Sequence, residues 1–250
     1  MQALILAAGF GRRLQPITNK IPKSLVEVNG IPLLVNALDC LSGRDISETL
    51  IVVGDKKEQI IERIGFRYRE MKITYIENSV YETTNNVYSF WLARNYINDD
   101  VIMLECDLIY NRSLIDRFLL ESKASCNILV SKYNPQTMDG TVVEVDENNH
   151  VRSLIIKRDQ KETMEYANMA KTVNIYCFKK HFIVDKFLPL IEVYVKAQSV
   201  NSYYELVLGG LVYYGNSDFS AVFADADEWF EIDDMEDLNR ANTYFQKNSK

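Results

Sequence analysis

Phosphate chemistry is legible at the start of the chain. In Leu6-Ala7-Ala8-Gly9-Phe10-Gly11-Arg12-Arg13 an apolar run gives way to two glycines and two arginines, and Lys23 follows ten residues after Arg13. Glycines let backbone N–H groups close around an anion without Cβ obstruction. Arginine and lysine beside such a loop add fixed positive charge for phosphate oxygens. Gly-x-Gly alone is a common turn. Leu14 stands where a dinucleotide fingerprint needs its third glycine, and no Gly-Lys-Ser/Thr is present in the loop. Neither of those phosphate patterns therefore applies, and the loop reads as a nucleotide-phosphate site of another kind.

Carboxylates and amides supply the rest of the chemistry. Glu105-Cys106-Asp107 ends the apolar run that begins at Val101, where an acidic side chain projects into the crevice bordered by the glycine loop. A carboxylate there suits magnesium, which takes one or two carboxylates plus phosphate oxygens. A helix N-cap is the competing role, because Leu108 to Leu120 has partly helical character; the anion loop alongside favours the metal. Thr83-Thr-Asn-Asn-Val-Tyr-Ser89 opens a helix, and the amides of Asn85 and Asn86 carry the donor and acceptor that a nucleobase edge requires. One of these asparagines could instead cap the helix. Asn201-Ser-Tyr-Tyr-Glu205 sets aromatic faces beside a carboxylate, with Tyr166 and Trp229 elsewhere in the second half. Such a set suits an ammonium or trimethylammonium group, at about 0.5–2 kcal/mol per contact. Core packing of Tyr203 or Tyr204 competes, since fifteen tyrosines make clusters common. The run Asp225 to Glu228 reads as a solvated loop.

These residues need strands and helices to hold them. Ala3 to Ala7, Leu50 to Val53, Ile73 to Ile76 and Val101 to Glu105 are short apolar runs of strand character. Between them lie helical patterns at Leu33 to Leu41, Lys56 to Ile64 and Val87 to Ile97. Strands alternating with helices predict βαβ units and a mostly parallel, doubly wound α/β sheet, with ligands at the strand carboxyl ends. From residue 126 the pattern changes: strands at 127–132, 141–146, 151–157 and 172–178, helices at 182–197 and 203–214, strands at 219–224 and 229–232, and a closing helix at 236–245. The expected organisation is one domain over 1–250. A nucleotide-binding core spans 1–125, a smaller mixed α+β acceptor side 126–228, and a closing strand and helix 229–250.

Bulk properties narrow the partners. The 250 residues are 47% hydrophobic and 25% charged, as in an ordinary globular protein. A net charge of −7 argues against a nucleic-acid surface and makes the basic stretch at 12–23 stand out. Four scattered cysteines without Cys-x-x-Cys, and only two histidines, give little support to a zinc site or a histidine triad. No apolar run approaches the ~20 residues of a membrane span. The first strand begins at once, leaving no room for a signal peptide, so a cytoplasmic monomer or homodimer is expected.

The constellation Ala-Ala-Gly-x-Gly-x-Arg-Leu, Pro-x-Thr and Pro-Lys, across residues 3 to 25, resembles the signature of nucleotidyltransferases that make NDP-sugars and CDP-alcohols. The resemblance implies a Rossmann-like, GT-A-type sheet. It also implies attack of an acceptor oxygen on the α-phosphorus of a nucleoside triphosphate, chemistry that rests on positioning and charge neutralisation. By that likeness Leu6 to Arg13 and Lys23 bind nucleotide, with Arg13 and Lys23 catalytic, and Asp107 shares magnesium with Asp233, the residue after Glu-Ile. Asp234 is then the cap of the last helix. Asn85-Asn86-x-Tyr-Ser89 looks like the phosphocholine cytidylyltransferase branch, which makes CTP the expected nucleotide and an amino-bearing phosphate or phosphonate the expected acceptor. Lys171-Thr-Val-Asn174 resembles that family's acceptor-facing strand, so Lys171 and Asn174 are expected acceptor contacts, joined by Tyr203 and Glu205 from the aromatic and carboxylate set. The stretch Asp139-Gly-Thr-Val-Val-Glu-Val-Asp keeps a sugar-1-phosphate enzyme open. A non-catalytic nucleotide sensor is disfavoured, because the lysine and both aspartates are present.

Overall fold

In the computed structural model, which describes residues 1–135, 138–161, 166, 169–215 and 218–248, the first six-residue strand sets the architecture. Every residue of Gln2–Ala7 is buried. Leu4 and Leu6 face one apolar layer, while Ala3, Ile5 and Ala7 face another. A strand buried on both faces needs strands on both edges and helices above and below.

In chain order the first half runs β1 (Gln2–Ala7), β2 (Glu27–Val28), β3 (Ile31–Pro32), α1 (Leu33–Leu41), β4 (Glu48–Val53), α2 (Lys57–Ile64), β5 (Arg67–Tyr68), β6 (Met71–Glu77), α3 (Asn86–Ala93) and β7 (Val101–Glu105). It continues with β8 (Leu108–Tyr110), α4 (Arg112–Glu121), β9 (Cys126–Lys132), β10 (Val142–Val145), β11 (Val151–Ile155), β12 (Ala170–Phe178) and α5 (Lys180–Phe182). After a π-turn come α6 (Leu188–Ala197), α7 (Glu205–Tyr213), β13 (Phe219–Ala224), β14 (Trp229–Glu231) and α8 (Met235–Asn248).

The central sheet is ordered β11-β10-β12-β7-β1-β4-β6-β5, and β9 then β13 continue from the other edge of β12. β6, β4, β1 and β7 are mutually parallel, as are β9 and β13, and β12 runs against β7 and β9. Helices α3, α6 and α7 cover one face through Phe90, Ile191 and Leu208. Helices α1, α2 and α4 cover the other through Leu38, Ile60 and Phe118. This is the expected α/β, mostly parallel, doubly wound fold. All five described strands of the 126–228 stretch lie in the same sheet as the first half, with the β10–β11 hairpin at its edge and α7 packed over it. Among the described residues no helix is long and apolar enough to cross a membrane.

The helical character expected from Leu108 does not begin there. Leu108–Tyr110 forms β8, antiparallel to β14, with Glu231 opposite Leu108 and Trp229 opposite Tyr110. Leu108, Ile109 and Tyr110 are all buried, and burial against a partner strand outweighs their modest helix preference. The helix starts at Arg112, after Asn111.

Helix α7 rests on β11 through Gly209. A Cβ there would stand 2.8 Å from the Leu154 carbonyl oxygen, which is backbone and cannot step aside. Gly209→Ala gains about 1 kcal/mol of helix propensity but forces the helix off the hairpin, at about 1–3 kcal/mol. The expected result is a net fall in melting temperature, read by thermal scan, and a rise would show that the hairpin gives way freely.

Candidate active site

The carboxyl ends of β1 and β7, the N-terminus of α3 and the segment after β14 surround one cleft of about 770 Å³. The loop after β1 is drawn into shape by its own contacts. Gly11 has φ 65°, and a Cβ on it would lie 2.9 Å from Lys23 Cβ and 3.0 Å from Thr18 Cγ2. Thr18 Oγ1 donates to the Gly11 carbonyl at 2.8 Å, and the buried Leu14 anchors the loop to a small apolar cluster with Val26, Ile109, Ile232 and Leu238. Glycine at 11 therefore lets the loop lie on the stem of Lys23.

The same cluster brings the ends of the chain together. The β8–β14 ladder continues as Ile232 N–H donating to the Asp107 carbonyl at 2.8 Å, which sets Asp107 and Asp233 side by side. Between them stands Lys23, whose Nζ is 2.9 Å from Asp107 Oδ2 and 2.8 Å from Asp233 Oδ1. Arg13 reaches Asp233 Oδ2 at 2.8 Å. Burial acts to lower the Lys23 ammonium, but the two carboxylates outweigh it and hold the group above its ordinary value. Burial likewise acts to raise Asp233, and Lys23 and Arg13 hold it below the usual carboxylate range. Asp107 Oδ1 is buried and has no hydrogen-bond partner among the described residues.

Asp234 takes the capping position. Its Oδ1 accepts from Glu236 N–H at 2.8 Å and Asp237 N–H at 3.0 Å, and Asp237 Oδ2 answers to Asp233 N–H at 3.1 Å. That reciprocal box frees the Asp233 carboxylate for the cleft.

The asparagines divide their work differently from the expectation. Asn85 caps α3, its Oδ1 accepting from Asn86 N–H at 2.8 Å, and the residue lines the cleft. Asn86 has no N–H left for a nucleobase. Its Nδ2 donates to Glu105 Oε1 at 3.0 Å and Glu205 Oε2 at 3.4 Å, and its Oδ1 accepts from Tyr204 N–H at 3.0 Å. Ser89 is buried at the cleft wall, accepting from Asn78 Nδ2 at 3.3 Å. Leu6, Ala8, Gly9 and Phe10 line the cleft, whereas Ala7 faces the opposite layer. Arg12 is exposed with its guanidinium 5.4 Å from the Phe10 ring centre, and Phe10 stacks on Tyr81 at 6.3 Å.

On the acceptor side, Asn174, Tyr203 and Glu205 line the cleft and Lys171 does not. Lys171 is buried behind it, bonded to Glu231 Oε2 at 3.0 Å and to the Thr172 carbonyl at 3.1 Å. Asn174 sits at φ 59° where the β9–β12 register shifts, and that kink turns its Nδ2 to Glu231 Oε1 at 3.2 Å. Trp229 is buried, and Tyr166 packs on Tyr133 at 6.1 Å; neither lines the cleft. Glu105 and Glu231 were unassigned in the sequence. Each is the last, charged residue of an apolar strand and stands two positions before an aspartate of the pair, a repeated Glu-x-Asp that was the available signal.

Burial pushes the Glu205 carboxyl up from 4.5 to about 7, with the Asn86 and Thr141 side chains and nearby Lys171 opposing it. A carboxyl raised on folding contributes stability that is full below its unfolded value and is lost as pH rises through its folded value. Glu205→Gln keeps an acceptor for Asn86 and cannot ionise. It is therefore expected to melt progressively higher, relative to wild type, as pH goes from about 5 to about 8. A difference in melting temperature that stays constant across that range would contradict the raised value.

A glycine loop, a lysine and paired aspartates at the carboxyl ends of a mostly parallel sheet define a nucleotide-handling α/β enzyme fold. The family model described as nucleotidyl transferase matches residues 2–246, and the chain belongs to that family. It is 32% identical over 246 residues to CMP-5'-(3-aminopropyl)phosphonate synthase of Streptomyces rubellomurinus, covering 98% of this chain and 39% of that protein. Over 116 residues it is 37% identical to UTP–glucose-1-phosphate uridylyltransferase of Haloferax volcanii, covering 46% of this chain and 47% of that protein. The chain thus spans about two fifths to one half of the length of these curated relatives. The structure of CTP:phosphocholine cytidylyltransferase from Streptococcus pneumoniae matches with a TM-score of 0.79 at 21% identity, over 98% of both chains, and shares the fold.

Proposed function

We propose that the chain is a CTP-dependent cytidylyltransferase that transfers CMP to a small amino-bearing phosphate or phosphonate. The observation that carries this reading is one cleft that holds cationic and paired-aspartate groups together with buried carboxylates. The former suit a triphosphate and the latter suit an amine. The 32% identity to an aminopropylphosphonate synthase over 98% of the chain supports the same reading.

An oxygen of the acceptor phosphate or phosphonate attacks the α-phosphorus of CTP. The bond from the α-phosphorus to the bridging oxygen breaks, and pyrophosphate leaves with the electron pair. Backbone N–H groups from Gly9 to Arg12, with Arg13, hold the β- and γ-phosphates and then the departing pyrophosphate. Lys23 neutralises charge that builds on the α-phosphate. Asn85 offers its NH₂ to the base.

Asp107 and Asp233 fit magnesium: two carboxylates, one with a buried oxygen lacking a partner, leave the remaining positions to phosphate oxygens and water. Bound there, the ion would neutralise phosphate charge.

Pyrophosphate release over four nucleoside triphosphates, crossed with aminoalkyl phosphates, phosphonates and hexose 1-phosphates, tests the proposal. Turnover with CTP and an aminoalkyl acceptor is expected. Turnover only with a hexose 1-phosphate would replace it by a sugar-1-phosphate nucleotidylyltransferase, the reading favoured by the 37% identity to a glucose-1-phosphate enzyme over 116 residues.

A further inference from the structure

The function proposed above matches an amine to the buried carboxylates of the cleft without saying which kind of amine they take. Glu105 ends β7 and Glu205 opens α7, and a single amide nitrogen, Asn86 Nδ2, bonds both, at 3.0 and 3.4 Å. The Tyr204 hydroxyl donates to Glu105 Oε1 at 2.9 Å, and its backbone N–H holds the Asn86 oxygen. Glu231, across the cleft, is already matched by Lys171 at 3.0 Å. Among the described residues no lysine, arginine or histidine bonds Glu105 or Glu205. Tyr176 is wholly buried behind these carboxylates, its ring edge-on to Tyr204 at 5.5 Å and its hydroxyl close to the Tyr204 and Thr172 side chains. Buried acceptors of this kind are costly until a donor satisfies them.

Resting on the function proposed above, we infer that Glu105 and Glu205, positioned by Asn86, bind the acceptor's ammonium through its N–H groups, so that the enzyme takes a primary amine and rejects a quaternary one. A trimethylammonium group has no N–H to give. It is held by aromatic faces, and among the described residues beside these carboxylates Tyr203 alone lines the cleft with one. Phe10 and Tyr81 stack on each other at the glycine loop, and Trp229 and Tyr166 lie outside the cleft. Length agrees as well. Glu105 precedes Asp107 by two residues, at most about 7 Å of chain, which a two- or three-carbon tether between phosphorus and nitrogen can span. A site built to hydrogen-bond a substrate N–H discriminates strongly against the analogue lacking it, because its own buried groups are then left unpaired.

The test is kcat/KM with saturating CTP for 2-aminoethylphosphonate, its N-methyl, N,N-dimethyl and N,N,N-trimethyl derivatives, and ethylphosphonate. The primary amine is expected to exceed both the trimethyl compound and ethylphosphonate by at least about a hundredfold. Glu205→Gln is expected to shrink that preference at least tenfold, mainly through KM for the amine. Calorimetric titration of 2-aminoethylphosphonate into Glu205→Gln loaded with a non-hydrolysable CTP analogue provides a readout apart from turnover, and weaker binding than wild type is expected. A trimethyl compound equal to or better than the primary amine overturns the inference and leaves the cytidylyltransferase reading standing. Turnover confined to hexose 1-phosphates overturns both.

Discussion

Replacing Lys23 by alanine will cut turnover at least about a hundredfold, the scale of losing one preorganised charge at a developing transition state. The geometry makes Lys23 central: one ammonium lies within 2.9 Å of an oxygen on each aspartate, on a stem pinned beneath Gly11. The same variant should change a property unrelated to rate. With the ammonium gone, Asp107 and Asp233 face each other with only Arg13 to offset them. The purified variant should therefore melt lower than wild type without metal. It should also bind Mn²⁺ more tightly than wild type in the absence of nucleotide, because no resident cation competes for the carboxylates. Pyrophosphate release, thermal scans and Mn²⁺ titration by electron paramagnetic resonance read the three effects. Turnover within a few fold of wild type would remove Lys23 from the chemistry.

Asp107→Ala is expected to lose turnover on the same scale, at least about a hundredfold, with little loss of fold. Asp107 is tied into the structure by its backbone, through Ile232 N–H to its carbonyl at 2.8 Å, and alanine keeps that bond. Its side chain instead bonds Lys23 with one oxygen and leaves the other buried and unpartnered. Asp234→Ala is the informative contrast. Its carboxylate is committed to the first turn of α8, so its removal should cost about 0.5–2 kcal/mol of stability and leave turnover close to wild type. Equal losses of turnover at 107 and 234 would mean that the site responds to helix position rather than to the carboxylate pair.

What could be read in the sequence was local. The unbroken apolar run from Ala3 to Ala7 announces a doubly buried strand, and the glycines and arginines at its end announce an anion loop, because both signals lie within a dozen residues. Asn85 shows what its residue type favours, a helix cap. Lys171 shows the limit of such reading. Its strand is where the family likeness puts it, but a bulge at Asn174 and the partner Glu231 turn the lysine inward, and Glu231 lies 60 residues further on. Strand β8 was invisible for a similar reason. Three apolar residues before a helix look like its first turn unless the partner strand, more than a hundred residues away, is known. Glu105 and Glu231 lie 126 residues apart in the chain, and only the fold turns both toward one cleft.

That β8–β14 ladder also orders events in time. Chains emerge from the ribosome N-terminus first, so the glycine loop and Lys23 are made well before Asp233, which stands 210 positions after the lysine. Until β14 docks on β8, a growing chain carries Lys23 and Asp107 without Asp233. On the function proposed above, β14 acts as a completion mark: a chain cut short before it would be silent however well the rest of its sheet had formed.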